Sequence, residues 1–213
     1  LKIQVVKQLS SGLDSSIAIC EGETVDLPKL FRNADPGGQI KDSAKTGALS
    51  GNVWDSQISG PGSFVLYYIV GDSITCPIDQ SRFEIIVQEQ IDIDSPGDQR
   101  DCKFDLLPAI RGKNTQNSTF YYDQPGGKGK RYNPGDTIRA TQKFYIYGQR
   151  SGYCSDEDSI VMNILPTIMD SFYAKDLCSE TSFTFGNKIF NKSNPKGQVF
   201  FPNGSVNGCD STL

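Results

Sequence analysis

The chain has 213 residues, with 21 Lys+Arg against 25 Asp+Glu, a net charge of −4 and no histidine. That length holds one large domain or two to three small ones, and the slightly acidic balance leaves no electrostatic footprint for nucleic acid. The commonest general base and metal ligand is missing, and no apolar run approaches the ~20 residues of a membrane helix.

Taken in order, the chain shows apolar alternation at period two and almost no helical spacing. It opens on Leu1-Lys2-Ile3-Gln4-Val5-Val6, and residues 1–12 are expected to be one strand without an upstream partner in this sequence. Further strands are predicted over residues 63–70, 83–87, 143–147, 159–164 and 197–201. Turn punctuation falls between them at Asp35-Pro36-Gly37-Gly38, Ser59-Gly60-Pro61-Gly62, Gln124-Pro125-Gly126-Gly127, Asn133-Pro134-Gly135-Asp136 and Pro202-Asn203-Gly204. Short strands separated by such turns are the pattern of a β-sandwich.

Six cysteines stand at Cys20, Cys76, Cys102, Cys154, Cys178 and Cys209, with no Cys-x-x-Cys among them. Zinc and thioredoxin-type readings are therefore weak. An even count at a period of ~80 residues suggests one cystine per small module. The expected pairing is Cys20–Cys76, Cys102–Cys154 and Cys178–Cys209, one of fifteen possible connectivities. Persistent cystines place the chain outside the cytoplasm; six free thiols in a cytosolic protein is the alternative.

The predicted organisation is tandem all-β, Ig-like β-sandwich domains, each with one intradomain disulfide. Residues 13–90 and 91–165 form two such domains. Residues 166–213 form a third, incomplete one that lacks its last strand, and residues 1–12 supply the last strand of a preceding third-type domain. Ser211-Thr212-Leu213 read onto Leu1-Lys2-Ile3 repeats the apolar spacing of Ser81-Arg82-Phe83-Glu84-Ile85, so the chain is expected to be about one period of a longer repeat. An arbitrary boundary is the competing explanation.

Segments in each of the three predicted units carry a resemblance, those of the second being Phe120-Tyr121-Tyr122, Asn133-Pro134-Gly135-Asp136-Thr137-Ile138 and Cys154-Ser155-Asp156-Glu157-Asp158-Ser159. Phe185-Gly186-Asn187-Lys188-Ile189-Phe190-Asn191-Lys192-Ser193-Asn194-Pro195-Lys196-Gly197, followed by Asn207-Gly208-Cys209-Asp210-Ser211-Thr212, resembles the repeats of very large secreted surface proteins of Bacteroidota, including gliding adhesin-like proteins. Ile19 to Leu27 and Gly60 to Tyr68 resemble their Ig-like repeats. The resemblance implies secretion, display at the bacterial cell surface or in a fibre, and no enzymatic activity. Partners are then neighbouring copies of the repeat or other chains in a fibre, with surface glycans a further candidate, and neither nucleic acid nor membrane insertion is expected. A carbohydrate-binding or spacer array of a secreted hydrolase is the alternative reading.

No Gly-x-Ser-x-Gly, Walker loop or dinucleotide fingerprint is present, and no cofactor is expected beyond a candidate Ca²⁺ site. Its ligands would be Asp92, Asp94, Asp98 and Asp101, four oxygen donors in one short segment; a solvated linker is the simpler reading. Asp156-Glu157-Asp158 is a weaker acidic candidate. Tyr121, Tyr122, Tyr145 and Tyr147 are a candidate aromatic platform for a sugar, although alternating strands turn about half of such rings inward. Trp54, the single tryptophan, reads as a core residue. Ser43, Ser73, Thr137 and Ser159 each follow an aspartate and precede an apolar residue or alanine. The resemblance makes them O-glycosylation candidates. Asn117-Ser118-Thr119 is an N-glycosylation sequon that matters only in a eukaryotic or archaeal secretory route.

Overall fold

The computed structural model describes residues 2–72, 74, 76–166, 175, 176, 178 and 181–213. The chain divides into two compact units: residues 1–91 with 149–156, and residues 92–148 with 157–213.

In the first unit the organising strand is Asp79–Gln90. Its alternation buries Ser81, Phe83, Ile85 and Val87 and turns Arg82 and Ile86 to solvent, as a pleated strand with one covered face requires. Gly62–Val70 pairs with it antiparallel, setting Phe64 against Ile85 and Leu66 against Phe83. On the other side Ser15–Cys20 runs parallel, with Ile17 opposite Ile85 and Ile19 opposite Val87. Gln39–Asp42 completes this sheet beside Gly62–Val70. A second sheet joins Thr24–Asp26, Val53–Asp55 and Leu49–Ser50.

The core lies between these sheets. Val25, Leu27, Ala48 and Trp54 come from the smaller sheet and its flanks, and Ile19, Leu66, Phe83, Ile85 and Val87 from the larger. Trp54 is fully buried, as expected, with the Phe64 ring 5.2 Å away. The layering is that of the expected all-β, Ig-like sandwich.

The second unit is built on a five-stranded sheet in the order Lys128–Tyr132, Thr119–Gln124, Gln142–Gly148, Asp156–Leu165, Gln99–Cys102. One face buries Tyr121, Phe144, Ile146, Ile160, Met162 and Ile164. Across it lies a short ladder of Asp105–Leu106 with Thr137–Ile138. The Tyr121 hydroxyl donates to the Pro108 carbonyl at 3.1 Å. Burial pushes that phenol up to about 12, because the phenolate would lose its water.

The C-terminal part of this unit contains two small antiparallel ladders. Phe183–Phe185 pairs with Lys188–Phe190, and Phe200–Phe201 with Ser211–Thr212. The motif Asn207-Gly208-Cys209-Asp210 closes the second. The Asn207 side-chain oxygen accepts from the Cys209 amide at 3.1 Å, and the Asp210 carboxylate accepts from the Asn203 amide at 3.0 Å. Gly208 takes a φ of 82°, which a glycine adopts without strain. The motif that carries the resemblance is thus a turn with every residue given a backbone task.

Four expectations are corrected. Residues 2–14 form no strand. Instead the Asp35 carboxylate accepts from the Ser10 amide and the Lys7 ammonium, both at 2.8 Å, and Asp79 accepts from the Ser11 amide at 2.8 Å. These carboxylates take the two backbone amides, Ser10 and Ser11, that a ladder would have used, and anchor Lys7 beside them. Gly12 then turns the chain at φ 84°, where a Cβ would lie 2.5 Å from the Arg32 carbonyl.

The units also do not coincide with stretches 13–90, 91–165 and 166–213. Residues 149–156 belong with the first unit, and 166–213 with 92–148. Of the strand expected over 197–201, Phe200–Phe201 form the ladder with Ser211–Thr212, and Val199 extends it by exchanging both backbone hydrogen bonds with Leu213.

The cystine pairing is different as well. Cys20 bonds Cys154 and Cys102 bonds Cys209, while Cys76 and Cys178 are free thiols. The register explains the first bond. Cys20 sits opposite Gln88 and Cys154 opposite Gln90, two positions on along the same strand. That brings their Cα atoms to 5.8 Å, within the span a disulfide needs. Each unit keeps one internal cystine, but with a partner far along the chain.

Candidate functional site

The alternation that buries Tyr121 turns its neighbours the other way. Thr119–Gln124 and Gln142–Gly148 pair with Phe120 opposite Tyr147 and Tyr122 opposite Tyr145. Four rings therefore share the outward face of the sheet, each half-buried. Tyr122 and Tyr147 meet edge to face with centroids 6.4 Å apart. Arg131, opposite Tyr122 on the next strand, lays its guanidinium 4.4 Å from the Phe120 centroid, and the Lys143 ammonium lies 5.0 Å from that of Tyr145. Such pairs hold a cation and a ring face together without an acidic partner.

The hairpin tip leans over this face. A Cβ on Gly127 would come 2.5 Å from the Tyr147 ring, so only glycine allows the approach. The Gly126 amide donates to the Glu157 carboxylate on the strand beyond. Of the four tyrosines singled out in the sequence, three face outward together and Tyr121 faces the core. Phe120, Arg131 and Lys143 belong to the face and were not anticipated. Their signal was present: cations alternating with aromatics at period two, readable only once the strands and their common face are known.

The acidic candidate is not assembled. Asp92 and Asp94 flank buried Ile93 and sit in register opposite Lys113 and Arg111, so the sheet sets each carboxylate against a cation. Asp98 accepts from the Val161 amide at 2.8 Å and Asp101 from the Cys102 amide at 2.6 Å. Of the second acidic run, Asp158 accepts from the Ser159 amide at 2.6 Å. Among the described residues no three His, Cys, Asp or Glu side chains gather closely enough to hold an ion.

Among the hydroxyl candidates, Ser43 is exposed but donates to the Val65 carbonyl at 2.6 Å. Thr137 is exposed in its ladder and Ser159 is half-buried. Ser73 lies outside the described residues. Thr119 of the sequon is buried, with its hydroxyl unpaired.

No known family profile and no curated protein matches the chain. Solved structures align with parts of the chain at low identity. The insect immune protein hemolin is 10% identical at a TM-score of 0.34, over 76% of this chain and 46% of its own. The two Ig domains of DIP-gamma are 12% identical at 0.30, over 71% and 93%. A chimeric titin Z1Z2 tandem is 13% identical at 0.28, over 75% and 97%. The chain thus spans under half of hemolin. At these low TM-scores it is the strand pairings described above, rather than the likenesses, that define the fold.

No helix among the described residues is long and apolar enough to cross a membrane.

Proposed function

We propose that the chain is a non-enzymatic segment of an extracellular adhesin or surface filament, working as a cystine-closed structural module that meets copies of itself or a surface. The observation that carries this reading is that each all-β unit has its own internal disulfide, Cys20–Cys154 in one and Cys102–Cys209 in the other. Such bonds persist in an oxidising compartment. They also suit a load-bearing chain: tension applied at the ends passes through Cys20–Cys154 and bypasses the residues between.

The resemblance to Bacteroidota surface repeats, the immunoglobulin-like layering and the absence of a catalytic motif in the sequence all agree with this reading. The test is clustering of beads coated with the oxidised chain. Clustering that disappears when the cystines are reduced supports the proposal. Beads that stay dispersed, and chains whose extension under force is unchanged by reduction, would sink it.

A further inference from the structure

Building on that adhesive reading, we propose that the outward face of Phe120, Tyr122, Tyr145 and Tyr147, rimmed by Arg131 and Lys143, binds a carboxylate-bearing polysaccharide. Two independent features converge here. The first is the set of half-buried rings. Tyr145 and Tyr147 stand about 7 Å apart along one strand, with Tyr122 and Phe120 on a neighbour about 4.8 Å away. Rings fixed on strands offer rigid, broad apolar contact at little entropic cost, which suits the C–H face of a sugar ring.

The second feature is charge. Between Gln124 and Gly148 stand Lys128, Lys130, Arg131, Arg139 and Lys143 against a single carboxylate, Asp136, in a chain of net charge −4. Among the described residues none of these five cations has an ion-pair partner. The carboxylates nearest the hairpin are already engaged: Asp123 accepts from the Lys130 amide at 2.8 Å, and Asp136 from the Asn133 amide at 2.8 Å. Glu157 is held by the Gly126 amide.

On the face itself the cations are Arg131, in register with Tyr122, and Lys143, two residues before Tyr145, whereas Lys130 and Arg139 lie over Tyr132 and Phe104. The face thus offers two cations without an ion-pair partner among the described residues, with Glu157, bonded to the hairpin-tip amide of Gly126, as a nearby carboxylate. Arg131 already lies over Phe120, so a carboxylate that meets its guanidinium fork brings the attached sugar to the rings. The Gly126–Gly127 tip, drawn over Tyr147, gives the face a wall on one side. A second copy of the chain meets this face less well, because its own balance is only slightly acidic and its aspartates at 92 and 94 already face cations.

The experiment measures binding of the full oxidised chain to immobilised alginate, with neutral dextran and poly-glutamate as comparison surfaces. Binding to alginate, weakening as salt rises, with little retention on dextran or poly-glutamate, is expected. Tyr145→Ala and Arg131→Ala should each lower alginate affinity about threefold to tenfold. Tyr145→Phe, which keeps the ring, and Lys41→Ala in the first unit should leave it unchanged. No alginate binding at low salt would overturn the proposal. So would equal binding to poly-glutamate, or affinity indifferent to both face variants. Bead clustering without alginate binding would refute this site and leave the adhesive reading standing.

Discussion

Replacing both Cys20 and Cys154 with alanine removes the cystine that closes the first unit over a sequence separation of 134. In the chain-entropy description, freeing a loop of that length costs about 5 kcal/mol, and measured losses centre on about 2–4 kcal/mol. The lower range applies here, because Cys102–Cys209 closes an overlapping stretch and still restrains part of the unfolded chain. Once the bond is gone, the returning segment is held mainly by Tyr153 and Cys154 pairing with Glu89 and Gln90, and by the Ile91 amide on the Cys154 carbonyl at 3.1 Å. For a unit of about 100 residues, a loss near 4 kcal/mol lowers Tm by roughly 15–30 °C. The fluorescence of Trp54 reads this transition in isolation, since it is the single tryptophan and is buried in the first unit's core. Cys76→Ala is the decisive comparison. Cys76 is half-exposed and unbonded, so its loss should stay within about 0.5 kcal/mol. The reasoning fails if Cys76→Ala lowers the Trp54 melting temperature as far as the double variant, or if the double variant melts within about 5 °C of the parent. Peptide mapping without reduction checks the same point by mass.

The N-terminal segment should be released by acid. The Lys7 ammonium and then the Ser10 amide hold the Asp35 carboxyl below its ordinary value, and the Ser11 amide and hydroxyl do the same for Asp79. For a depressed carboxyl the stabilisation is present above the unfolded value near ~3.9 and is lost as pH falls through the lower folded value. The protection factors of the Ser10 and Ser11 amides, corrected for the intrinsic pH dependence of exchange, should therefore be high at neutral pH and fall as pH drops below ~3.9, and that of Ser11 should be lost at neutral pH in Asp79→Ala. Persistent protection in that variant would contradict the contact. Tyr121 gives the opposite sign. Its phenol stays neutral in the fold, so its contribution is complete below the unfolded value near ~10 and disappears as pH rises toward about 12. Ultraviolet titration should show one tyrosine that ionises only with alkaline unfolding, and Tyr121→Phe, which frees the Pro108 carbonyl, should cost about 1 kcal/mol. Gly127→Ala should destabilise the second unit by roughly 1 kcal/mol or more, since its φ is 67° and the added methyl meets Tyr147. Calorimetry showing no change would refute the close approach of the hairpin tip.

Local chemistry was legible from the residues alone. The alternation in Phe83 to Val87 and in Lys143 to Tyr147 marks strands because a half-covered pleat needs that period, and both lie within the observed strands. Trp54 and the turns around Gly126 and Gly135 were readable for similar reasons: size and apolarity decide burial, and glycine decides backbone. What only the tertiary structure decided was which distant segments meet. Spacing led to neighbouring cysteines, yet a disulfide follows Cα separation, and parallel pairing on Asp79–Gln90 brings Cys154 rather than Cys76 to Cys20. Leu1 to Val6 carries a strand's alternation, but pairing needs free backbone partners, and Asp35 and Asp79 capture the amides and the lysine of the segment that follows it. The aromatic and cationic face has the same origin: each ring was visible singly, and only the register of two strands placed three of the four tyrosines outward beside Arg131 and Lys143.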